Sequence, residues 1–564
     1  MNLKEKPFYL SSEDEAWVKA TLSSMTEEEK ISQLFCLIAY SSDEEYLNFL
    51  AKGLKIGGIM CRTMPSYEVI DTVTRIQRAS KIPMLIAANL EAGGNGVALD
   101  GTRLGCEMAI SATGDKKYAK ALGEICGKEG AALGVNWAFA PIVDIDMNFR
   151  NPITNTRTFG ANADTVASFG VEYIKEIQSH GVAATAKHFP GDGVDERDQH
   201  LVSTVNSLSC EEWDKTYGAI YRACIDAGVK TVMVGHILQP AYSKALLPDI
   251  ADEEILPASL SHEIVTKLLK QRLGFNGLVI TDSTTMAGLA SAMERKKAVP
   301  QAIAAGCDMF LFTKNLEEDM EYMRVGVKEG IITKQRLDDA VTKILALKAS
   351  LKLHTKSNIP NTEEVKRVLG CADFVKKAKE CADDSITLVK NKQDVLPISP
   401  EKYKRILFYS IQSGEGQMGY GVDSGANERF IEKLRACGFD VTEFVPKQGF
   451  EGMMASSEEV KNSYDLIIYS ANMATKSNQT VVRIEWCQPM GANVPTHMHS
   501  VPTIFVSLEN PYHLLDAPRV KTYINTYGSS DVILDSLIEK LMGRSKFKGK
   551  SPVDAFCGKW DTKL

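Results

Sequence analysis

No stretch of this 564-residue chain is apolar for long enough to cross a bilayer, and its opening, MNLKEKPFYLSSEDEAW, lacks the apolar core of an export leader. None of its twelve cysteines stands in a CxxC pair, which leaves zinc-ribbon and thioredoxin-type readings without support. With no leader, the cysteines are expected to be reduced and to pack as small apolar side chains. Neither sign of charge dominates: the formal net charge is -7 and the pI is near 5.9, so nothing electrostatic draws the chain to nucleic acid or an anionic membrane. Internal repeats and low-complexity tracts are absent too. A cytoplasmic protein with no nucleic-acid or membrane partner is expected.

What is present is an ordinary globular composition, 44% apolar and 24% charged, on a chain too long for one core. Short apolar runs at 31–39, 56–61, 84–89, 135–143, 182–189, 231–237, 277–283 and 308–313 read as strands, apolar on both faces and separated by helix-length segments. Several of those segments stop at glycine, the usual left-handed cap. Eight βα units predict an α/β fold, a (β/α)8 barrel over 1–353, with a doubly wound sheet as the alternative. Polarity then rises, and a linker is expected over 354–375. Residues 376–564 resume the α/β pattern, with strands at 405–411, 465–471, 502–508 and 521–527, and predict a smaller α/β sandwich domain.

Polar residues collect where those first strands end, which is where a barrel of this kind does chemistry. They are Asn89 after the third run, Asp144 and Asp146 after the fourth, Lys187 and His188 after the fifth, His236 after the sixth and Asp282 after the seventh. Any one of them has an ordinary alternative; Asp282, for example, could cap a helix that begins at Ser283. Together they describe an open pocket with cationic, imidazole and carboxylate groups and no metal signature, suited to hydrolysis or group transfer on a polar substrate. Asp198-Gln199-His200 follows on a loop. An Asp two residues from a His can bond one ring nitrogen and leave the other free for proton transfer, although a solvated loop has the same spacing. Asp192, Asp195 and Glu196 read as surface charges.

Other patterns point elsewhere. Gly414, Gly416 and Gly419 make a literal GxGxxG after a strand, with Asp440 further on, as in a dinucleotide site. The helix that follows, around ANERFIEKLRACG, begins several residues too late to meet a pyrophosphate. His497 and His499 stand without a carboxylate or cysteine at ligand spacing and read as loop residues. No cofactor and no metal are expected. A barrel that binds without catalysing is the other rival, opposed by the presence of both Asp282 and His200.

The barrel segments resemble glycoside hydrolase family 3, and within it the β-N-acetylglucosaminidase branch. KHFPGDG at 187–193 with DQH at 198–200 is similar to that branch's Lys-His-Phe-Pro-Gly-x-Gly…Asp-Ser-His signature. VITDSTTMAG at 279–288 resembles the nucleophile strand, with Asp282 at the nucleophile position, Met286 four residues on, and Ser283 where the family's glucosidases usually have Trp. NPITNTRTFG at 151–160 resembles an Arg-Ser-Phe-Gly segment and puts Arg157 at a sugar-contacting position. SITLVKNKQDVLPI (385–398) and KFKGKSPV (546–553) extend the likeness into the second domain. The chain departs from the family in ANLEAGGNG, where Asn89 stands in place of an Asp, and near Val97, where many acetylglucosaminidases have an Arg.

The resemblance implies an exo-acting glycoside hydrolase that retains configuration through a covalent glycosyl-enzyme on Asp282, of the β-N-acetylhexosaminidase type. His200 would then be the acid/base, oriented by Asp198, while Asn89, Arg157, Lys187, His188, His236 and Met286 would line the sugar site. The implied substrate is a small oligosaccharide or amino-sugar glycoside. A β-N-acetylglucosaminide phosphorylase and a β-glucosidase or β-xylosidase of the same family are the alternatives.

Overall fold

The computed structural model describes residues 2–412, 425–445, 454, 456–475, 477–478, 480, 483–487 and 491–564. The GxGxxG glycines Gly414, Gly416 and Gly419 lie outside the described residues. The chain divides into two compact units, one comprising 1–103, 119–148 and 163–375 and the other 104–118, 149–162 and 376–564.

In the first unit eight parallel strands run in the order of the apolar runs: β1 (Phe35–Ala39), β2 (Gly58–Cys61), β3 (Leu85–Ala88), β4 (Trp137–Ala138), β5 (Thr185–Phe189), β6 (Thr231–Val234), β7 (Leu278–Ser283) and β8 (Met309–Leu311). Pairing follows β4-β3-β2-β1-β8-β7-β6-β5. The two ends of that row meet through bridges between Trp137 and Ala183 and between Ile142 and Lys187. Backbone hydrogen bonds from Ala138 N to Ala183 O, from Thr185 N to Ala140 O and from Val143 N to Lys187 O, each 2.8 Å, complete the seam. The sheet is therefore a (β/α)8 barrel and not the doubly wound alternative, which would leave two unpaired edges. β4 is shorter than the 135–143 run suggests because Pro141 has no N–H to contribute to a ladder.

Apolar side chains fill the interior, with a polar knot where the indole Nε1 of fully buried Trp137 donates to Thr185 Oγ1 and Thr231 Oγ1, both at 2.9 Å. Outside, the helices present one apolar stripe. In Ala163–Ser179 the buried residues Val166, Phe169, Gly170, Tyr173, Ile174 and Ile177 recur at three- and four-residue spacing. At the N-terminal ends of the strands the buried Asp308 accepts from Val279 N at 2.9 Å and Lys270 Nζ at 3.1 Å, an anchor on the face opposite the strand ends discussed below.

The second unit holds a six-stranded sheet of β9 (Thr387–Asn391), β10 (Arg405–Gln412), β11 (Asp440–Glu443), β12 (Leu466–Asn472), β13 (Thr503–Ser507) and β14 (Thr522–Asn525), ordered β9-β14-β13-β12-β10-β11 with only β9 antiparallel. Helices Ala426–Ala436 and Asp531–Leu541 supply Phe430, Leu434, Leu534 and Leu537 to one of its cores. The division of the chain differs from a barrel over 1–353 followed by a linker. Segments 104–118 and 149–162 pack with the second unit, where Met108, Ala109 and Ala112 join Tyr512, Tyr527 and Val553 in an apolar cluster. Residues 354–375, expected as linker, form the helix Thr362–Val368 and group with the barrel.

Candidate active site

The barrel's strand ends bring most of the expected residues together. Asp282 closes β7, and its side chain is 12% exposed. Its Oδ2 stands 3.9 Å from His188 Nε2, at the end of β5. A register shift between Ala186 and Phe189 interrupts the strict alternation of β5, and the neighbours Lys187 and His188 both find polar partners. Lys187 Nζ donates to Glu91 Oε1 at 2.6 Å. His188 is held twice by fully buried Asp144, whose Oδ2 takes Nδ1–H at 2.7 Å and whose Oδ1 takes the backbone N–H at 3.1 Å. That grip leaves Nε2 as the ring atom directed at Asp282.

Burial alone would raise the Asp282 carboxyl, but the imidazoles that face it, His188 foremost, and the Ser283 N–H outweigh burial and hold the group below the ordinary carboxylate range. A buried carboxylate in that state can act as a nucleophile or as a counter-charge to a cationic centre. Ser283 N donates to its Oδ1 at 2.7 Å, which leaves Oδ2 as the freer oxygen.

His200 sits on the loop after β5. Its Nδ1–H and its backbone N–H both converge on Asp198 Oδ1, at 2.7 and 2.8 Å. The Asp198 side chain is fully buried while the imidazole is 25% exposed, so Nε2 is the ring nitrogen open to a ligand. Asn89 is exposed at the end of β3, and the chain beyond it folds back closely: a Cβ on Gly96 would fall 1.8 Å from Asn89 O.

Three expected residues have different surroundings from a free sugar-binding group. His236 is fully buried with both ring nitrogens engaged, at 2.9 Å from Ser283 O and 2.7 Å from Ser259 Oγ. Because the carbonyl can only accept, Nε2 carries the proton and Nδ1 accepts from the serine. Burial lowers its proton affinity against the pull of Asp282, so the neutral ring serves as a strut beneath the backbone next to Asp282. Met286 is 4% exposed, and helix Ala287–Ala290 starts just after it. Arg157 lies on the turn Asn155–Arg157 of a segment that belongs to the second unit, so it is not one of the barrel groups.

Asp192 and Asp195 are not surface charges as expected. Asp192 is 2% exposed, its N–H is held by Asp144 Oδ1 at 2.8 Å, and its Oδ2 accepts from Gln199 Nε2 at 3.4 Å. Asp195 binds Arg197 through two oxygens and takes the Val205 N–H at 2.9 Å. Glu196 alone is exposed. Glu91 was missed outright; an acidic residue two places beyond Asn89, on the loop opposite a strand-end lysine, was the available signal. Among the described residues no group of three His, Cys, Asp or Glu side chains could hold a metal ion, and no helix is long and apolar enough to cross a membrane.

Residues 26–347 match the glycosyl hydrolase family 3 N terminal domain. Over all 564 residues, and the whole length of the relative, the chain is 57% identical to a β-N-acetylglucosaminidase/β-glucosidase of Cellulomonas fimi. Among solved structures it is similar to the β-glucoside phosphorylase BglX, with 44% identity, TM-score 0.93 and 99% of each chain covered. It is also similar to a family 3 β-N-acetylglucosaminidase from Paenibacillus sp. str. FPU-7, with 25% identity, TM-score 0.80, and 95% of this chain and all of that one covered.

Proposed function

The chain belongs to glycosyl hydrolase family 3, and from that premise we propose that it is a retaining, exo-acting β-glycosidase that removes terminal β-linked N-acetylglucosamine or glucose. The observation that carries this reading is a buried Asp282 carboxylate at the end of β7 together with an independently oriented Asp198-His200 dyad. In the first step Asp282 Oδ2 attacks the anomeric carbon as the glycosidic C–O bond breaks. The bonding electrons pass to the leaving oxygen, which takes the proton from His200 Nε2. In the second step His200, now neutral, can take a proton from water as the water attacks the same carbon and frees Asp282. Two inversions give net retention.

Lys187, held by Glu91, and His188, held by Asp144, are assigned to sugar hydroxyls and to charge that develops at the ring. Asn89 reads a hydroxyl with one acceptor and one donor function. The similarity to a β-N-acetylglucosaminidase/β-glucosidase of Cellulomonas fimi supports the two-sugar specificity. The substrate is a small glycoside or oligosaccharide.

A second reading has its own support. The acid/base is an imidazole, neutral after it donates its proton, so no anionic acid/base repels an anionic acceptor. Phosphate needs no deprotonation to attack, and the solved neighbour is named a phosphorylase. On this reading phosphate replaces water in the second step and the product is a sugar 1-phosphate. Product analysis of aryl N-acetylglucosaminide and glucoside cleavage, with and without phosphate at equal ionic strength, tests both. Free sugar under both conditions identifies a hydrolase; sugar 1-phosphate with faster turnover identifies a phosphorylase. No cleavage of either glycoside refutes the proposal.

A further inference from the structure

The loop that carries His200 is fastened to the barrel at a point the catalytic dyad does not explain. Gln199 is 1% exposed, turned inward between Asp198 and His200. Its Oε1 accepts from the backbone N–H of His236, just beyond β6, at 2.7 Å, and its Nε2 donates to Asp192 Oδ2 at 3.4 Å. Its carbonyl takes the Gly288 N–H at 2.9 Å, and the adjoining His200 carbonyl takes the Ala287 N–H at 3.1 Å. One side chain and two carbonyls thus tie the loop to the segments that follow β6 and β7. The second of these leaves the strand that carries Asp282.

Gly288 makes the approach possible. A Cβ there would lie 2.9 Å from Gln199 O and 3.0 Å from His236 Cβ, inside contact distance of backbone that cannot yield without moving the loop. The tip beyond the latch exposes Leu201 and Val202, 37% and 45% accessible, so no apolar burial of its own holds it down.

We infer that Gln199 is a positioning residue, a latch that keeps the loop closed and His200 within reach of the leaving group. This rests on the reading of His200 as proton donor. Serine or alanine at this position cannot span to the His236 N–H, and methionine fills the same space without an acceptor. Gln199→Met therefore removes the bond and keeps the packing.

The test measures kcat/KM for a dinitrophenyl glycoside, which leaves without protonation, and for an alkyl glycoside, which does not. Tryptic cleavage after Arg197 is followed in parallel as a readout of loop opening. Gln199→Met is expected to slow the alkyl substrate by about 3- to 10-fold, the population effect of one lost hydrogen bond, and to leave the dinitrophenyl substrate within about 2-fold. Cleavage after Arg197 should quicken by a similar factor. Gly288→Ala should reproduce the pattern from the opposite side of the contact. Wild-type behaviour on both substrates in both variants, or an equal loss on both with unchanged cleavage, overturns the latch. His200→Ala keeps the two failures apart. If it too slows both substrates equally, the proton-donor reading itself is wrong; if it alone discriminates, only the latch is.

Discussion

Asp198→Asn isolates the charge of the dyad from its geometry. Both donors of His200 fall on one oxygen, Asp198 Oδ1, at 2.7 and 2.8 Å, and asparagine keeps an oxygen there in the same volume. The side chain is fully buried, so water cannot substitute for the lost charge. A hydrogen bond to a charged partner is worth about 1.5–3 kcal/mol and a neutral one about 0.5–1.5 kcal/mol. The difference, about 1–1.5 kcal/mol, corresponds to about a 5- to 13-fold loss. Asp198→Ala also strips the acceptor from two donors, and the full charged value sets its loss near about 10- to 150-fold. The assay is kcat/KM across a series of aryl glycosides of graded leaving-group acidity, because that parameter reports only steps up to bond cleavage. Losses should grow as the leaving group becomes more basic, and Asn should fall between wild type and Ala. An unchanged slope, or equal losses along the series, would refute the argument that Asp198 works through the proton carried by His200.

Asn89→Asp replaces an amide donor with a second acceptor at the exposed end of β3; it should change the ratio of glucoside to N-acetylglucosaminide cleavage with little effect on melting temperature, read from substrate competition and calorimetry. Glu91→Gln weakens the partner of buried Lys187 and should raise KM more than it lowers kcat, provided the lysine holds sugar hydroxyls. Asp282 is held below the ordinary carboxylate range, so the acid limb of kcat/KM assigned to it should lie below that of an ordinary aspartate, measured by pH jump with short exposure. Lys348 is fully buried against Gln33 Oε1 at 2.8 Å, and burial lowers its amine to about 7. The unfolded chain holds that proton up to a higher pH than the fold does, so this residue makes stability rise from pH 7 towards 10. Lys348→Met should remove that share of the rise in thermal melts at pH 7 and pH 9.

The barrel was readable because its strands are buried on both faces and appear as uninterrupted apolar runs, and because polar residues at the ends of such runs stand out. The edge strand β11, with only Val441 buried, carries no such signal and was missed. So was β9, whose buried positions, Thr387 and Lys390, are polar and do not alternate with exposed ones. The grouping of 104–118 and 149–162 with the second unit was invisible for another reason. Met108, Ala109 and Ala112 form an apolar helical face like any other, and which core receives it is decided by residues some four hundred positions away. At the site, Asp282, His188 and His200 were legible by place and spacing. Asp192 and Glu91 were not, since a charged loop residue looks the same in sequence whether it meets water or a buried partner. His236 was legible as a strand-end residue, but only the structure engages both its nitrogens.

Trapping the glycosyl-enzyme tests the central claim most directly. A 2-deoxy-2-fluoro glycoside with a dinitrophenyl leaving group slows release of the intermediate, and intact mass followed by peptide mapping locates the sugar. Complete tryptic cleavage isolates residues 273–295, whose only side-chain carboxylates are Asp282 and Glu294. One sugar per chain, on Asp282 and absent from Asp282→Ala, is the expected result. A label on Asp144, Asp192, Glu91 or any other carboxylate, or turnover without any covalent species, would contradict the account.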